Sequence, residues 1–176
     1  PLDPRLLDGR GAHLPVLQEI GDGLTTIAWD TPVLMSPTLM KTMGLKVNQV
    51  VEVKSQAGTL QGAVYPLPGL HPDGVVISRG NGQNNKRSTI SHNNGINPLP
   101  LFPKQMDPLS GQPVTSNLPV TITPTGKWYR LAMMQKHNDI ANRADILKKY
   151  SLKQLKKMPK KVDLDTVPDV FPKLQE

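Results

Sequence analysis

Cysteine is absent from all 176 residues. The chain alone therefore cannot build a disulfide framework, a thiolate zinc site, an iron–sulfur cluster or a thiol nucleophile, and any redox metal must sit elsewhere. The compartment stays open, because a reducing cytosol and a cysteine-poor exported protein look alike by this measure. Aromatic residues make up only 4% of the chain, too few for the base-stacking platforms of a single-strand nucleic-acid reader. There is no 18-residue apolar run and no signal-peptide pattern. The chain opens on Pro1 and reads as a soluble piece of a longer protein. No P-loop, HExxH or GxSxG occurs, and His13, His71, His92 and His137 lie in separate regions without short metal-ligand spacing. No nucleophile or acid–base pair stands out, so the chain is not expected to be catalytic on its own and no metal ligands are assigned.

What is abundant is turn-forming residues and lysine. The 14 glycines and 18 prolines amount to about half again the usual share, which favours a turn-rich, mainly β globule over a helical bundle. Net charge is +7, unevenly distributed. Residues 1–126 hold 9 Lys and Arg against 8 Asp and Glu, whereas 127–176 hold 12 against 6. The excess sits chiefly in Lys148, Lys149, Lys153, Lys156, Lys157, Lys160 and Lys161. A lysine run without arginine, in a chain this poor in aromatics, suits a solvated helix face, or a patch for an acidic protein or anionic headgroups, better than sequence-specific nucleic-acid binding.

Local patterns divide the chain further. Residues 1–30 read as an irregular arm reaching a short strand at Leu24–Trp29. Ser36-Pro37 supplies an N-cap and a favoured first helical residue, Leu39, Met40 and Met43 an apolar stripe, and Gly44 a stop, predicting a short helix. Gln49–Ser55 and Thr59–Tyr65 flank a three-residue connection and predict a hairpin. Gly74–Arg79 reads as a strand, as does Leu118–Thr123. The Asn-, Gly- and Pro-rich stretch 80–117 between them has little periodicity and reads as functional or mobile. In the tail, Leu147, Tyr150, Leu155 and Met158 predict an amphipathic helix over 144–158 that Pro159 ends, and 162–176 reads as an extended strap needing a partner surface. His71, before Pro72-Asp73-Gly74, reads as a turn residue.

Two stretches suit ligand contact. In Arg79-Gly80-Asn81-Gly82-Gln83-Asn84-Asn85-Lys86-Arg87, glycines permit close backbone approach while exposed N–H groups and cations suit anionic oxygens. The pattern is not GxGxxG, and a mobile Asn-Gly turn explains it as well. In Ser91–Asn97, side-chain amides either read the edge of a heterocycle or satisfy loop backbone.

The order of four motifs is more specific than any one of them. Asp30–Pro37, Met43–Val53, Leu67–Val76 and Asp107–Pro113 together resemble the C-terminal molybdopterin-dinucleotide-binding domain of molybdopterin oxidoreductases, over roughly residues 10–124. Asp8-Gly9-Arg10, Val16–Ile20, Thr26–Asp30, Tyr129–Ala132, Gln135, His137, Arg143 and the helix to Tyr150 narrow the match. They are similar to the molybdopterin-oxidoreductase-like iron–sulfur subunit of alternative complex III, which passes electrons from quinol to a cytochrome acceptor.

The resemblance implies a mainly β, aspartate-decarboxylase-like double-psi β-barrel with short helices, occupying 1–126 with its N-terminal arm, and a basic helical and extended extension over 127–176. It implies cofactor contacts at Arg10, His13, Arg79, Gly80, Asn81, Gly82 and Asn97. Arg10 and Arg79 would pair pyrophosphate oxygens, and Asn97 would meet the pterin edge. The Gly9-Arg10…His13 spacing is one shorter than in cofactor-bearing relatives and runs almost directly into Leu14, which costs reach at about 3.5 Å per residue. The first expectation is therefore a fragment holding no cofactor, a structural and assembly domain of a quinol-oxidising complex. It would contact preceding domains of its parent and neighbouring subunits on the periplasmic face of a bacterial membrane, with no transmembrane segment of its own. The second is a working molybdopterin guanine dinucleotide site in the full-length protein, and the third a basic β-barrel that binds nucleic acid. On the first expectation, a cut after Gly126 leaves the barrel folded and abolishes assembly.

Overall fold

The computed structural model describes residues 1–134 and 151–157. Contacts divide the chain into two units, Pro1–His137 and Asn138–Glu176. The described elements are α1 (Pro15–Glu19), β1 (Val33–Met35), α2 (Pro37–Thr42), β2 (Gln49–Lys54), β3 (Thr59–Pro66), β4 (Val75–Val76), a 3-10 turn (Leu99–Leu101), β5 (Thr121–Trp128) and, in the second unit, α3 (Leu152–Lys157). No helix among the described residues is long and apolar enough to cross a membrane.

The strands form one mixed sheet in the order β4-β1-β3-β2-β5. The β2–β3 hairpin is antiparallel, with Val50 opposite Ala63 and Lys54 opposite Thr59. β3 then continues past its hairpin partner and pairs parallel with β1, Val33 opposite Val64 and Met35 opposite Pro66. One eight-residue strand thus joins the two halves of the sheet, and its alternation sorts side chains onto both faces. Val64 joins Val33, Met35, Met40, Val51, Val53 and Leu101 in one buried cluster, whereas Ala63 and Tyr65 join Ile27 and Leu131 in a second. A sheet covered on both sides needs a near-continuous apolar run, which explains the fully buried Gly62–Tyr65.

The predicted helix forms as Pro37–Thr42, with the Ser36 hydroxyl accepting from the Leu39 N–H at 3.1 Å. The predicted hairpin forms as well. Three expectations are corrected. Leu24–Trp29 is not a strand: Thr26 and Trp29 adopt positive φ of 57° and 64°, which interrupts extended backbone, and only Ile27 bridges, to Met133. The last strand of the sheet runs Thr121–Trp128 instead of ending at Thr123, carried past a register irregularity between Gln49 and Val51. The strand expected over 74–79 is confined to Val75–Val76. β1 and α1 were not anticipated. Helix 144–158 is described only as α3, and the strap 162–176 lies outside the described residues.

Ring closure is not among the described pairings. β4 and β5 end the sheet unpaired with one another, so the architecture is mainly β, with few short helices and an open mixed sheet. The N-terminal arm is tied to this sheet through backbone bonds from the Arg79 N–H to Pro1 and from the Asp3 N–H to Arg79, both 2.8 Å. Burial pushes the Asp3 carboxyl up, but Arg5, bonded to both its oxygens, outweighs that and holds it below the ordinary carboxylate range. Arg5 also donates to the Ile20 and Ile27 carbonyls, fastening the arm at a second point.

Candidate functional site

The arm and the irregular stretch 80–99 meet in a cavity of about 200 Å³ lined by Asp8, Arg79, Gly80, Asn81, Gln83, Asn97 and Leu99. Four of the seven residues expected at a cofactor site line it: Arg79, Gly80, Asn81 and Asn97. Gly82 lies under its wall, where a β-carbon would stand 2.1 Å from the Asn97 nitrogen. With φ at +76° as well, this position admits only glycine. Its role is close packing of one loop on the other. Arg10 and His13 do not line the cavity, and both are exposed.

Among the lining residues, Arg79 brings the positive charge, and no side-chain partner engages its guanidinium among the described residues. Arg10 is engaged instead by Asp8, with Nε to Oδ1 and Nη2 to Oδ2 both at 2.9 Å. The bidentate bonds and the Arg10 charge hold the Asp8 carboxyl far below the ordinary carboxylate range and raise Arg10 in return. Asp8 therefore remains an anion at any physiological pH, on the wall of the cavity.

The amides are also largely committed. Asn81 is 5% exposed. Its Oδ1 accepts from Gln18 Nε2 at 2.8 Å, and its Nδ2 donates to the Trp29 carbonyl at 3.4 Å. Gln83 Nε2 donates to the Gly9 carbonyl at 2.9 Å. Asn97 Oδ1 accepts from the Leu99 N–H at 3.0 Å, a local turn leading into the 3-10 turn, which leaves its Nδ2 for other partners. Gln18 is fully buried and spends both Nε2 bonds on Ala12 and Asn81, while its Oε1 has no partner among the described residues.

These residues do not fit the pyrophosphate clamp expected of Arg10 and Arg79. One arginine is matched by a carboxylate, that carboxylate lines the cavity, and Asn81 faces inward. A drug-sized ligand occupies roughly 300–1,000 Å³, so this unit alone encloses at most part of a dinucleotide. Arg79, the Asn97 amide N–H groups and the Gly80 backbone suit one anionic or carbonyl-bearing fragment.

Sequence reasoning placed Gln83 in a ligand-suited stretch without singling it out, and gave Asp8 and Gln18 no role at the site. Asp8 was detectable in principle, since Asp-x-Arg permits the side chain to bond backbone and guanidinium two residues on. It missed a second cluster too. The buried Asp30 accepts from the Tyr129 hydroxyl at 2.7 Å and from the Ala132 N–H at 2.8 Å, beside a cavity of about 190 Å³ that Asp30 and Tyr129 line. Burial, and then the bond to Asp30, pushes Tyr129 up to about 12. His71 forms the turn expected of it, its Nδ1 accepting from the Asp73 N–H at 3.2 Å. No cluster of potential metal ligands occurs among the described residues.

No curated protein matches the chain. Among solved structures it is similar to acetylene hydratase from Pelobacter acetylenicus, at 16% identity and a TM-score of 0.44, over 54% of this chain and 14% of that one. The chain thus spans about a seventh of that protein's length. The family profile described as the molydopterin dinucleotide binding domain matches residues 22–119. That span includes Arg79 to Gly82 and Asn97, and stops short of Arg10 and His13. As it makes up more than half of the chain, the protein belongs to the molybdopterin dinucleotide binding domain family.

Proposed function

We propose that this chain is the C-terminal domain of a molybdopterin-oxidoreductase-type subunit and acts in structure and assembly, as in the iron–sulfur subunit of alternative complex III that it resembles, on the periplasmic side of a quinol-oxidising membrane complex. The observation that carries the reading is the Asp8 carboxylate, which lines the cavity and occupies Arg10 in a bidentate pair. The pair itself is exposed and weak; what opposes a pyrophosphate is the fixed negative charge on the wall. The isolated bridges Leu2–Arg79 and Ile27–Met133 extend the pairing beyond the open sheet, in keeping with a double-psi barrel. The partners are the preceding domains of the parent protein and neighbouring subunits, with the lysine-rich extension contributing orientation.

A second reading has one observation in its favour: Arg79, Gly80, Asn81 and Asn97 do share a cavity. On it, this domain holds one end of molybdopterin guanine dinucleotide within the full-length protein. Acid extraction of the full-length parent, with molybdenum measured by mass spectrometry and guanine nucleotide by chromatography, decides between them. The assembly reading expects neither above background, and stoichiometric amounts of both would overturn it.

A further inference from the structure

The chain contains two Asn-Gly dipeptides, Asn81-Gly82 and Asn94-Gly95, and the fold treats them in opposite ways. In this dipeptide the following backbone nitrogen, once deprotonated, can attack the asparagine side-chain carbon, because glycine leaves it unhindered. Asn81 is locked against this. It is 5% exposed, both ends of its amide are bonded, and the Gly82 N–H donates to the Asn94 carbonyl at 2.7 Å. Asn94 is only partly buried. Its Nδ2 donates to the Ile90 carbonyl, its Oδ1 has no partner among the described residues, and neither has the Gly95 N–H. Gly95 is also irreplaceable: φ is +64°, and a β-carbon there would stand 2.6 Å from Thr31 Oγ1 and 2.8 Å from Asn81 Cβ. The fold therefore cannot escape the labile pair by changing its second member.

We propose that Asn94 is a site of spontaneous deamidation that switches charge and backbone register next to the Gly80–Gln83 loop, and that Asn81 is protected by the fold. The Gly95 nitrogen bonds to Asn94 Cγ, the Cγ–Nδ2 bond breaks, and the Gly95 proton leaves with the nitrogen as ammonia, giving a succinimide. Water then opens either imide bond. Opening at Cγ yields aspartate, and opening at the main-chain carbonyl yields isoaspartate, whose backbone runs through the side chain. Each product adds one negative charge. Isoaspartate also displaces the carbonyl that holds the Gly82 N–H, which loosens the loop carrying Gly80 and Asn81 into the cavity.

The two sites fall in different tryptic peptides, Gly80–Lys86 and Ser88–Lys104, so their rates can be read separately by mass spectrometry after timed incubation of the whole chain at mildly alkaline pH. Reaction at Asn81 requires three hydrogen bonds to open against one at Asn94, each worth about fivefold, so Asn94 should react about twenty-five-fold faster in the folded chain. In urea the ratio should fall close to one. Hydrogen exchange at the Gly82 amide should accelerate in the isoaspartate form, isolated by ion exchange. Asn81 reacting within about tenfold of Asn94 in the folded chain, neither site reacting until urea is added, or unchanged Gly82 exchange would each overturn the proposal.

Discussion

Truncating the chain at either of two places should give opposite results. A cut after His137 removes the second unit and leaves the first whole. A cut after Gly126 removes residues that the first unit depends on. Leu131, 4% exposed, belongs to one of its two buried clusters. Six long-range hydrogen bonds outside the sheet ladder also go. The Tyr129 N–H donates to the Asn48 carbonyl, the Tyr129 hydroxyl and the Ala132 N–H to Asp30, the Leu131 N–H to Asn48 Oδ1, the Ala28 N–H to the Ala132 carbonyl, and the Met134 N–H to the Thr26 carbonyl. Leu131 burial stabilises by ~1.5–3 kcal/mol. The bonds are worth ~0.5–1.5 kcal/mol each, toward the lower end where water replaces the lost partner. The total is ~5 kcal/mol, comparable with the whole stability of a marginal domain at ~5–15 kcal/mol. In urea, at a slope of ~1–3 kcal/mol/M, the midpoint should fall by ~2–3 M, or the shorter chain should fail to fold, while the cut after His137 leaves the midpoint in place. Loss of subunit co-purification with the chain cut after His137 would then report assembly rather than misfolding. Midpoints within ~0.5 M of each other would refute the reasoning and restore Gly126 as a usable boundary.

Other perturbations test the site and its supports. Tyr129→Phe should cost ~1 kcal/mol at neutral pH, discounted because Tyr129 is half-exposed. Since the Tyr129 hydroxyl titrates higher in the folded chain than in the unfolded one, its contribution is complete below about pH 10 and fades as pH rises toward about 12. Wild type and Tyr129→Phe should therefore converge in stability over that window, as followed by urea unfolding, and a constant gap would disprove the assignment. Asp8→Asn should raise the affinity of the domain for inorganic pyrophosphate about fivefold by removing one negative charge from the cavity wall and freeing Arg10, measured by calorimetry. Acidification to pH 5 should not reproduce this, because the Asp8 carboxyl titrates far below that. No gain in Asp8→Asn would show that the wall charge is not the barrier. Gly82→Ala places a methyl 2.1 Å from backbone at positive φ and should destabilise by ~3 kcal/mol or more in thermal unfolding.

The parts of the fold legible in the sequence are those whose cause is local. Ser36, Pro37 and Gly44 cap and stop a helix whichever way the rest of the chain runs. The β2–β3 hairpin needs only two β-rich runs and a short connection. β1 escaped notice because three residues carry no period, and its partners Val64–Pro66 and Val75–Val76 lie some thirty and forty residues onward. Leu24–Trp29 misled for a related reason. Its composition suits a strand, yet Ile27 meets its partner only at Met133, and Thr26 and Trp29 turn left-handed to reach it. Where the backbone conformation is decided by contacts a hundred residues away, local propensity is a weak guide.

The candidate site divides along the same line. The order of family motifs brought Arg79, Gly80, Asn81 and Asn97 to one place, because relatives that share a fold share the positions of their loops. Whether each side chain then faces a ligand depends on its immediate neighbours, which motif order does not contain. Asn81 is turned inward by Gln18, a residue 63 positions away, and that pairing leaves Gln18 Oε1 buried without a partner among the described residues. Such a group costs ~1–3 kcal/mol, tolerable only if the two bonds made by Nε2 return more. An inward-facing amide held at that cost supports the loop rather than reading a cofactor. Asp8 makes the same point for charge: Gly9-Arg10 promises a phosphate contact, and the acid one residue earlier withdraws it. Resemblance locates the loops, and the hydrogen-bond partners of each polar atom decide what those loops can do.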